Sequence, residues 1–252
     1  MNHESLVPYS LARSHALDSR WRGFFVAMAA VLLAIVAVGF APSFYLRTYF
    51  DAGTIGASSS SLPTRVLVHG VVLSCWFLLF LTQTILVASR EIRLHRTIGV
   101  IGAGLSVALI ASSMLVVVGL ASRVVARGNP SGQVALIVTG DTGLMLLFAV
   151  LIAAGITLRR RRDVHRRLML LASISIVAPA LARFPGAEAL VPLSVVVPQL
   201  VLFGALIAYD ILTSRRVHPA TIWGVAMYVF VAGSCTAIGF SEYGRAFVKA
   251  LA

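Results

Sequence analysis

Charge is what this chain has least of. Asp, Glu, Lys and Arg make up 12% of its 252 residues, about half the share of an ordinary soluble domain. Lysine occurs once, as Lys249, beyond the last apolar run. No intramembrane lysine is therefore available for a retinal Schiff base. Cysteine occurs twice, at Cys75 and Cys235, both inside apolar runs and with no CxxC pair. Both read as small buried hydrophobes, and they leave the redox compartment open. The chain has no Walker loop, no GxSxG and no HExxH, so ATP-driven transport and these hydrolytic chemistries are disfavoured.

What is present is apolar residue in long runs. Hydrophobic residues make up 59% of the chain, in stretches of roughly 18–25, enough to cross about 30 Å of hydrocarbon as helices. The predicted fold is all-α, a polytopic membrane bundle of seven helices. They fall at 23–44, 65–89, 98–122, 134–157, 167–184, 189–212 and 220–240. Residues 1–22 form a polar N-terminal segment, 23–240 the transmembrane domain and 241–252 a polar tail. A signal peptide would have an apolar core of only about 7–15 residues, so the first run reads as an anchor. The segment 45–64, with Gly53, Gly56 and serines at 58–61, reads as a flexible loop with an interfacial piece at Tyr45, Tyr49 and Phe50. The glycines and serines of the third run (Gly99, Gly102, Gly104, Ser106, Ser112, Ser113) suit close helix packing and predict a central helix. Gly128, Asn129, Pro130, Ser131 and Gly132 mark a turn before the fourth.

Basic residues set the orientation. Counted over alternate loops, fourteen of the twenty-one Lys and Arg residues fall on the side of the N-terminus. Short loops rich in arginine stay inside, which places the N-terminus inside and the C-terminus outside. The densest block is 159–169, with Arg159, Arg160, Arg161, Arg162, Arg166 and Arg167. A formal charge of +12 would suggest nucleic acid in a soluble protein. Here the arginines sit in short loops between apolar runs, so anionic lipid headgroups are the expected partners and nucleic acid is not. A membrane-protein partner or a second copy of the chain stays open.

Each inner turn carries a histidine beside arginine, just before a helix begins. The three sites are Leu94-His95-Arg96, Val164-His165-Arg166 and Val217-His218-Pro219, and Pro219 suits a first helical position. A helix N-terminus disfavours imidazolium, so these histidines should tend to be neutral and able to ligate a metal or haem iron. Three at one depth could converge. The competing reading is an interfacial turn, with arginine on lipid phosphate and histidine capping or bonding a neighbouring loop. Asp210, at the inner end of the sixth helix, is a natural partner for one of these histidines or arginines.

A second polar set lies in the apolar runs. His69, Trp76 and Gln83 recur every seven residues, on one face of the second helix. Asp141, Arg183 and Gln199 fall toward the outer side with His69. An intramembrane carboxylate is costly unless paired or hydrated. The set is therefore either a proton or ligand site, or a polar core holding the helices in register.

His69-Gly70, His95-Arg96-x-x-Gly99, His165-Arg166-Arg167-Leu168-Met169-Leu170, Tyr209-Asp210 and Val217-His218-Pro219-Ala220 together resemble a group of multi-pass bacterial inner-membrane proteins of unassigned activity. The HRRLM piece is similar to one in small membrane proteins linked to oxidase assembly and haem handling. The histidine-bearing hairpins are similar in style to cytochrome b561-like proteins, whose pattern wants two intramembrane histidine pairs, where this chain offers His69. The resemblance implies haem b as the candidate cofactor, with His95, His165, His218 and His69 as candidate ligands. The expected function is redox or haem handling. The alternatives are a small-solute transporter or sensor using His69, Asp141, Arg183 and Gln199, and a non-catalytic accessory subunit.

Overall fold

The computed structural model describes residues 7–49, 62–184, 186–187 and 193–252, with side chains from residue 23 onward. Among these residues the only regular structure is helix. Nine α-helices follow in order: α1 Val7–Phe40, α2 Thr64–Ala88, α3 Ile92–Val125, α4 Gly132–Thr157, α5 Arg162–Ser175, α6 Ala178–Leu181, α7 Leu193–Ser214, α8 Pro219–Phe240 and α9 Glu242–Leu251. Six stretches among them are long and apolar enough to cross a membrane: Gly23–Tyr45, α2, α3, α4, α7 and α8. Their outward surface is apolar too. Val100 is 74% exposed, Phe230 73% and Trp223 70%, a skin that hydrocarbon solvates and water does not.

Local chemistry sets several helix ends. Ser131 caps α4, its hydroxyl accepting from the Val134 N–H at 3.3 Å, as N-cap serines do. α1 begins well before the expected anchor, and its end runs into a π-helical turn, Ala41–Tyr45, then a 3-10 turn, Arg47–Tyr49. Tyr45 and Tyr49 are exposed there. Phe50 and the glycine- and serine-rich loop lie outside the described residues. The tail past 240 is helical. Ser241 ends α8 and starts α9, which turns Val248 inward against α3 and α4 and sets Gly244 against the end of α8.

The fifth apolar run departs most from expectation. In place of one helix over 167–184, α5 stops at Ser175 and the four-residue α6 follows. Pro179 is the cause. It has no N–H to give the Ser175 carbonyl, and its ring crowds the preceding turn. α6 then lies hard against α1, where a Cβ on Gly39 would collide with the Ala180 backbone.

The centre of the bundle also differs. α3 was expected there, but 28% of its apolar window is buried against 44% for α4, and Gly99 and Gly104 face open space. α4 is the hub, packed on α3, α5, α8 and α9. The shared core is Phe77, Phe148, Leu170, Ile174 and Leu206, all fully buried. Gly99 and Gly104 are exposed and Gly102 is half-buried, whereas Ser106, Ser112 and Ser113 are buried, so the small residues mark the packed face of α3 in part without making it the hub. Cys75 is also corrected. It is exposed, one turn from the exposed Val71 and Leu78, so its apolar surroundings are the outer surface of the bundle and not a core.

Candidate functional site

The start of α3 and the start of α5 are built alike. The His95 N–H bonds the Glu91 carbonyl at 3.0 Å and the His165 N–H bonds the Arg161 carbonyl at 2.9 Å, each the carbonyl of its helix's N-cap residue. The two imidazoles thus hold the same register. They face one another with ring centroids 6.4 Å apart at 78°. His165 Nδ1 lies 2.8 Å from the Gly155 carbonyl of α4. A carbonyl only accepts, so Nδ1 carries the proton and Nε2 keeps its lone pair. On the other side Gln83 reaches over from α2. With its amide nitrogen toward His95, it donates to the His95 carbonyl at 3.1 Å and meets Nδ1, and its own carbonyl accepts from the Gly99 N–H at 3.1 Å. That arrangement puts the His95 proton on Nε2.

His218 does not join this pair. It is the N-cap of α8, with Nδ1 accepting from the Ala220 N–H at 3.1 Å. Its imidazole sits below its ordinary pKa, first because it is partly buried and then because the Arg167 guanidinium is near. The expected convergence of three histidines is therefore two. Among the described residues no group of three His, Cys, Asp or Glu side chains could hold a metal ion.

What lies beside His218 is a buried ion pair. Asp210 Oδ1 accepts from Arg167 Nε at 2.9 Å and from Nη2 at 2.6 Å. Its Oδ2 accepts from the His218 N–H at 3.0 Å and from Thr221 Oγ1 at 2.6 Å. Arg167 also donates to the Asp163 carbonyl at 2.8 Å. Arg167 is 1% exposed and Asp210 not at all. One carboxylate thereby ties α5, α7 and the start of α8 together. Arg167 was expected among the headgroup arginines, and that assignment is corrected: its guanidinium is enclosed and committed. Arg159 to Arg162 are exposed. Arg166 lies between these cases. It pairs with Asp163 at 2.6 Å, and its guanidinium stands 5.2 Å from the Phe25 ring and 5.7 Å from that of Tyr209, where aromatic faces attract cations.

At the far end the expected cluster divides. His69 Nδ1 lies 3.2 Å from Ser112 Oγ. That hydroxyl donates to the Leu109 carbonyl at 3.1 Å, so Nδ1 is the donor and Nε2 is left with a lone pair. Arg183 is the cation whose field reaches both His69 and Asp141. It donates to the Pro179 carbonyl at 2.6 Å and lies 5.2 Å from the Phe40 ring. Asp141 is half-buried, and among the described residues no side chain hydrogen-bonds or ion-pairs with it. Gln199 serves elsewhere. Its Nε2 donates to the Ile174 carbonyl at 2.8 Å, at the end of α5. Trp76, on the same α2 face, donates to Ser173 Oγ at 3.4 Å. Arg65 was not singled out in the sequence, yet its guanidinium lies across α3 in the space a Cβ on Gly119 would need.

Sequence reasoning set Asp210 against one of the turn histidines or arginines without singling out Arg167, and missed Thr221, Ser112, Ser173 and Gly155 as the acceptors and donors that position the rest. A signal existed for Arg167. It shares a helical stripe with Leu170, Leu171 and Ile174, at spacings of three, four and seven, and that stripe is buried.

Long apolar helices, an apolar exterior and polar groups paired across helices define a multi-pass helical membrane protein. Comparison with family models, with curated proteins and with solved structures returns no match.

Proposed function

We propose that the chain is a redox or haem-handling protein of the bacterial inner membrane, acting through His95 and His165. The observation that carries this reading is the facing imidazole pair, 6.4 Å between centroids. His95 and His165 would be the residues to hold a metal ion or haem iron here, each through an imidazole nitrogen. His165 fits such a ligand as it stands, because the Gly155 carbonyl holds its Nδ1 proton and turns Nε2 free. This is the orienting hydrogen bond that metal-ligating histidines use. His95 fits once the Gln83 amide turns to accept from Nδ1, which frees Nε2. Haem b or a redox metal bound here would supply one-electron chemistry. The chain's own part is to orient the two rings and to set which nitrogen is bare.

The proposed topology has seven crossings, with α5 and α6 together making the seventh, the N-terminus inside and the C-terminus outside. The arginine distribution supports it. Arg159 to Arg162 would then face anionic headgroups of the inner leaflet. Asp141, half-buried and with no hydrogen-bonded or ion-paired side chain among the described residues, supports a second reading as a small-solute transporter or sensor at the outer side.

The test is a visible spectrum and a metal analysis of protein purified from haem-replete cells and again after haem addition. A Soret band, or bound iron or copper, that disappears in His165→Ala and weakens in His95→Ala but survives His218→Ala supports the reading. Colourless, metal-free protein after haem and copper addition overturns it.

A further inference from the structure

α8 begins beside the turn that carries Arg215 and Arg216 and ends at the opposite face of the bundle, in an elbow. Ser241 closes the helix, its N–H and its hydroxyl both donating to the Ile238 carbonyl, at 2.9 and 2.7 Å. α9 starts at once. The elbow has no slack. A Cβ on Gly244 would collide with the Ile238 carbonyl and the Gly239 backbone, and one on Gly239 with the backbone of Leu136 in α4. Further along α9, the fully buried Val248 is seated among Val117, Ala121, Ala135 and Val138. Glu242, Tyr243 and Lys249 stay exposed. A helix with one buried apolar face and one charged face, placed at the end of a span, suits the level of the lipid headgroups.

The elbow opens on a notch of about 640 Å3, lined by Phe240, Ser241, Glu242, Tyr243, Arg245 and Ala246. Its apolar part continues the lipid-facing skin of α8. Phe240 is 61% exposed and Tyr243 81%, aromatic residues of the kind that mark the boundary between hydrocarbon and headgroup. Its polar part is one acid and one base. Glu242 Oε1 and Arg245 Nη2 stand 3.8 Å apart, near enough to attract but beyond the ~2.7–3.2 Å of a hydrogen bond. Among the described residues neither side chain is hydrogen-bonded, so a carboxylate lacking a donor and a guanidinium lacking an acceptor line the same notch. The inner turns gather arginine, which suits anionic headgroups. This notch carries both signs and sums to zero, so its complement is a zwitterion.

We propose that the α8–α9 elbow is a binding site for the headgroup of phosphatidylethanolamine in the outer leaflet. Arg245 takes the phosphate, Glu242 accepts from the primary ammonium, and the glycerol lies against Phe240. A trimethylammonium has no hydrogen to give Glu242, and a glycerol headgroup has no positive charge. Choline and glycerol lipids therefore keep only the phosphate contact. The site rests on the membrane topology proposed above and on none of the histidines.

The test uses the full-length protein, delipidated in a neutral detergent. It is mixed with equal amounts of phosphatidylethanolamine, phosphatidylcholine and phosphatidylglycerol of one acyl composition, and native mass spectrometry reads the lipid retained. Wild type should retain the ethanolamine lipid roughly tenfold over the choline lipid, the factor that one hydrogen bond to a charged group supplies. Glu242→Gln should bring that ratio down toward parity. Glu242→Lys should do the same and raise retention of the glycerol lipid above wild type. Arg245→Gln should lower the ethanolamine and choline lipids alike, because both lose the phosphate contact. Glu242 is 94% exposed, so its two substitutions leave the core untouched, and either one suffices if the other does not purify. Lipids held by the inner turns are common to every variant and cancel in the comparison. Equal retention of the ethanolamine and choline lipids by wild type overturns the proposal. So does an ethanolamine preference that survives substitution of Glu242, or lipid retention that Arg245→Gln leaves unchanged. No metal or haem enters this measurement, so it stands or falls separately from the spectrum.

Discussion

Replacing Asp210 with alanine should destabilise the protein by about 3–5 kcal/mol, the range for breaking a buried ion pair from one side. The structure gives the reason. Asp210 accepts four hydrogen bonds, two from Arg167, one from the His218 N–H and one from Thr221. Alanine leaves a guanidinium that is 1% exposed with no counter-ion, and frees the start of α8. Asp210→Asn keeps the shape but loses the charge and turns an NH2 toward donors, so it should fall between alanine and wild type. The measurement is denaturant or thermal unfolding in detergent micelles, followed by tryptophan fluorescence. A cycle with Arg167→Ala isolates the pair. The double mutant should cost less than the sum of the singles, by about 1–3 kcal/mol, since no unpaired charge remains. The exposed pair Arg166–Asp163 is as short, at 2.6 Å, but its side chains are 41% and 68% exposed. Asp163→Ala should therefore cost less than about 1 kcal/mol. A cost below about 1 kcal/mol for Asp210→Ala, or an additive cycle, would refute the assignment of this network as the clasp between α5, α7 and α8.

Two further outcomes follow from the same geometry. Only neutral His218 can accept the Ala220 N–H, and burial together with Arg167 lowers its pKa, against a smaller opposing pull from Asp210. The unfolded chain therefore binds this proton first. Stability should fall as pH drops from about 6.5, the free value, through the folded pKa, and His218→Asn, an N-cap without this titration, should flatten that part of the profile relative to wild type. Gly39→Val should cost more than Gly23→Val, because a Cβ at 39 meets the Ala180 backbone and one at 23 meets nothing. Comparable unfolding midpoints for the two variants would remove the close α1–α6 contact from the account.

The helices were legible because a run of apolar residues long enough to cross hydrocarbon has few other fates. The fifth was not, because an apolar window does not register the loss of one N–H at Pro179. The His95–His165 pair was partly legible. The repeat of histidine before a helix singled out both, but a sequence motif does not say which of three turns lie side by side, and His218 took the cap of α8 instead. Arg167 was obscured by company. Five other arginines at 159–166 read as one charged block, and only its place on the buried stripe of α5 separates it from them. The outer set of His69, Asp141, Arg183 and Gln199 shared a depth in the sequence. Depth does not give azimuth, and Gln199 turned to the broken end of α5.

That broken helix bears on how the chain is made. α5 has only fourteen residues, too few to span hydrocarbon alone, and carries in Arg167 a charge that lipid would reject. Its neutralising carboxylate, Asp210, lies forty-three residues further on and leaves the ribosome later. During synthesis α5 and α6 must therefore wait at the membrane surface or in the shelter of the insertion machinery, while α4 already stands in the bilayer. They can settle against α4 only when α7 arrives with Asp210. The segment synthesised fifth then reaches its final place only after α7 has followed it, and a nascent chain halted before residue 210 should leave it exposed to protease.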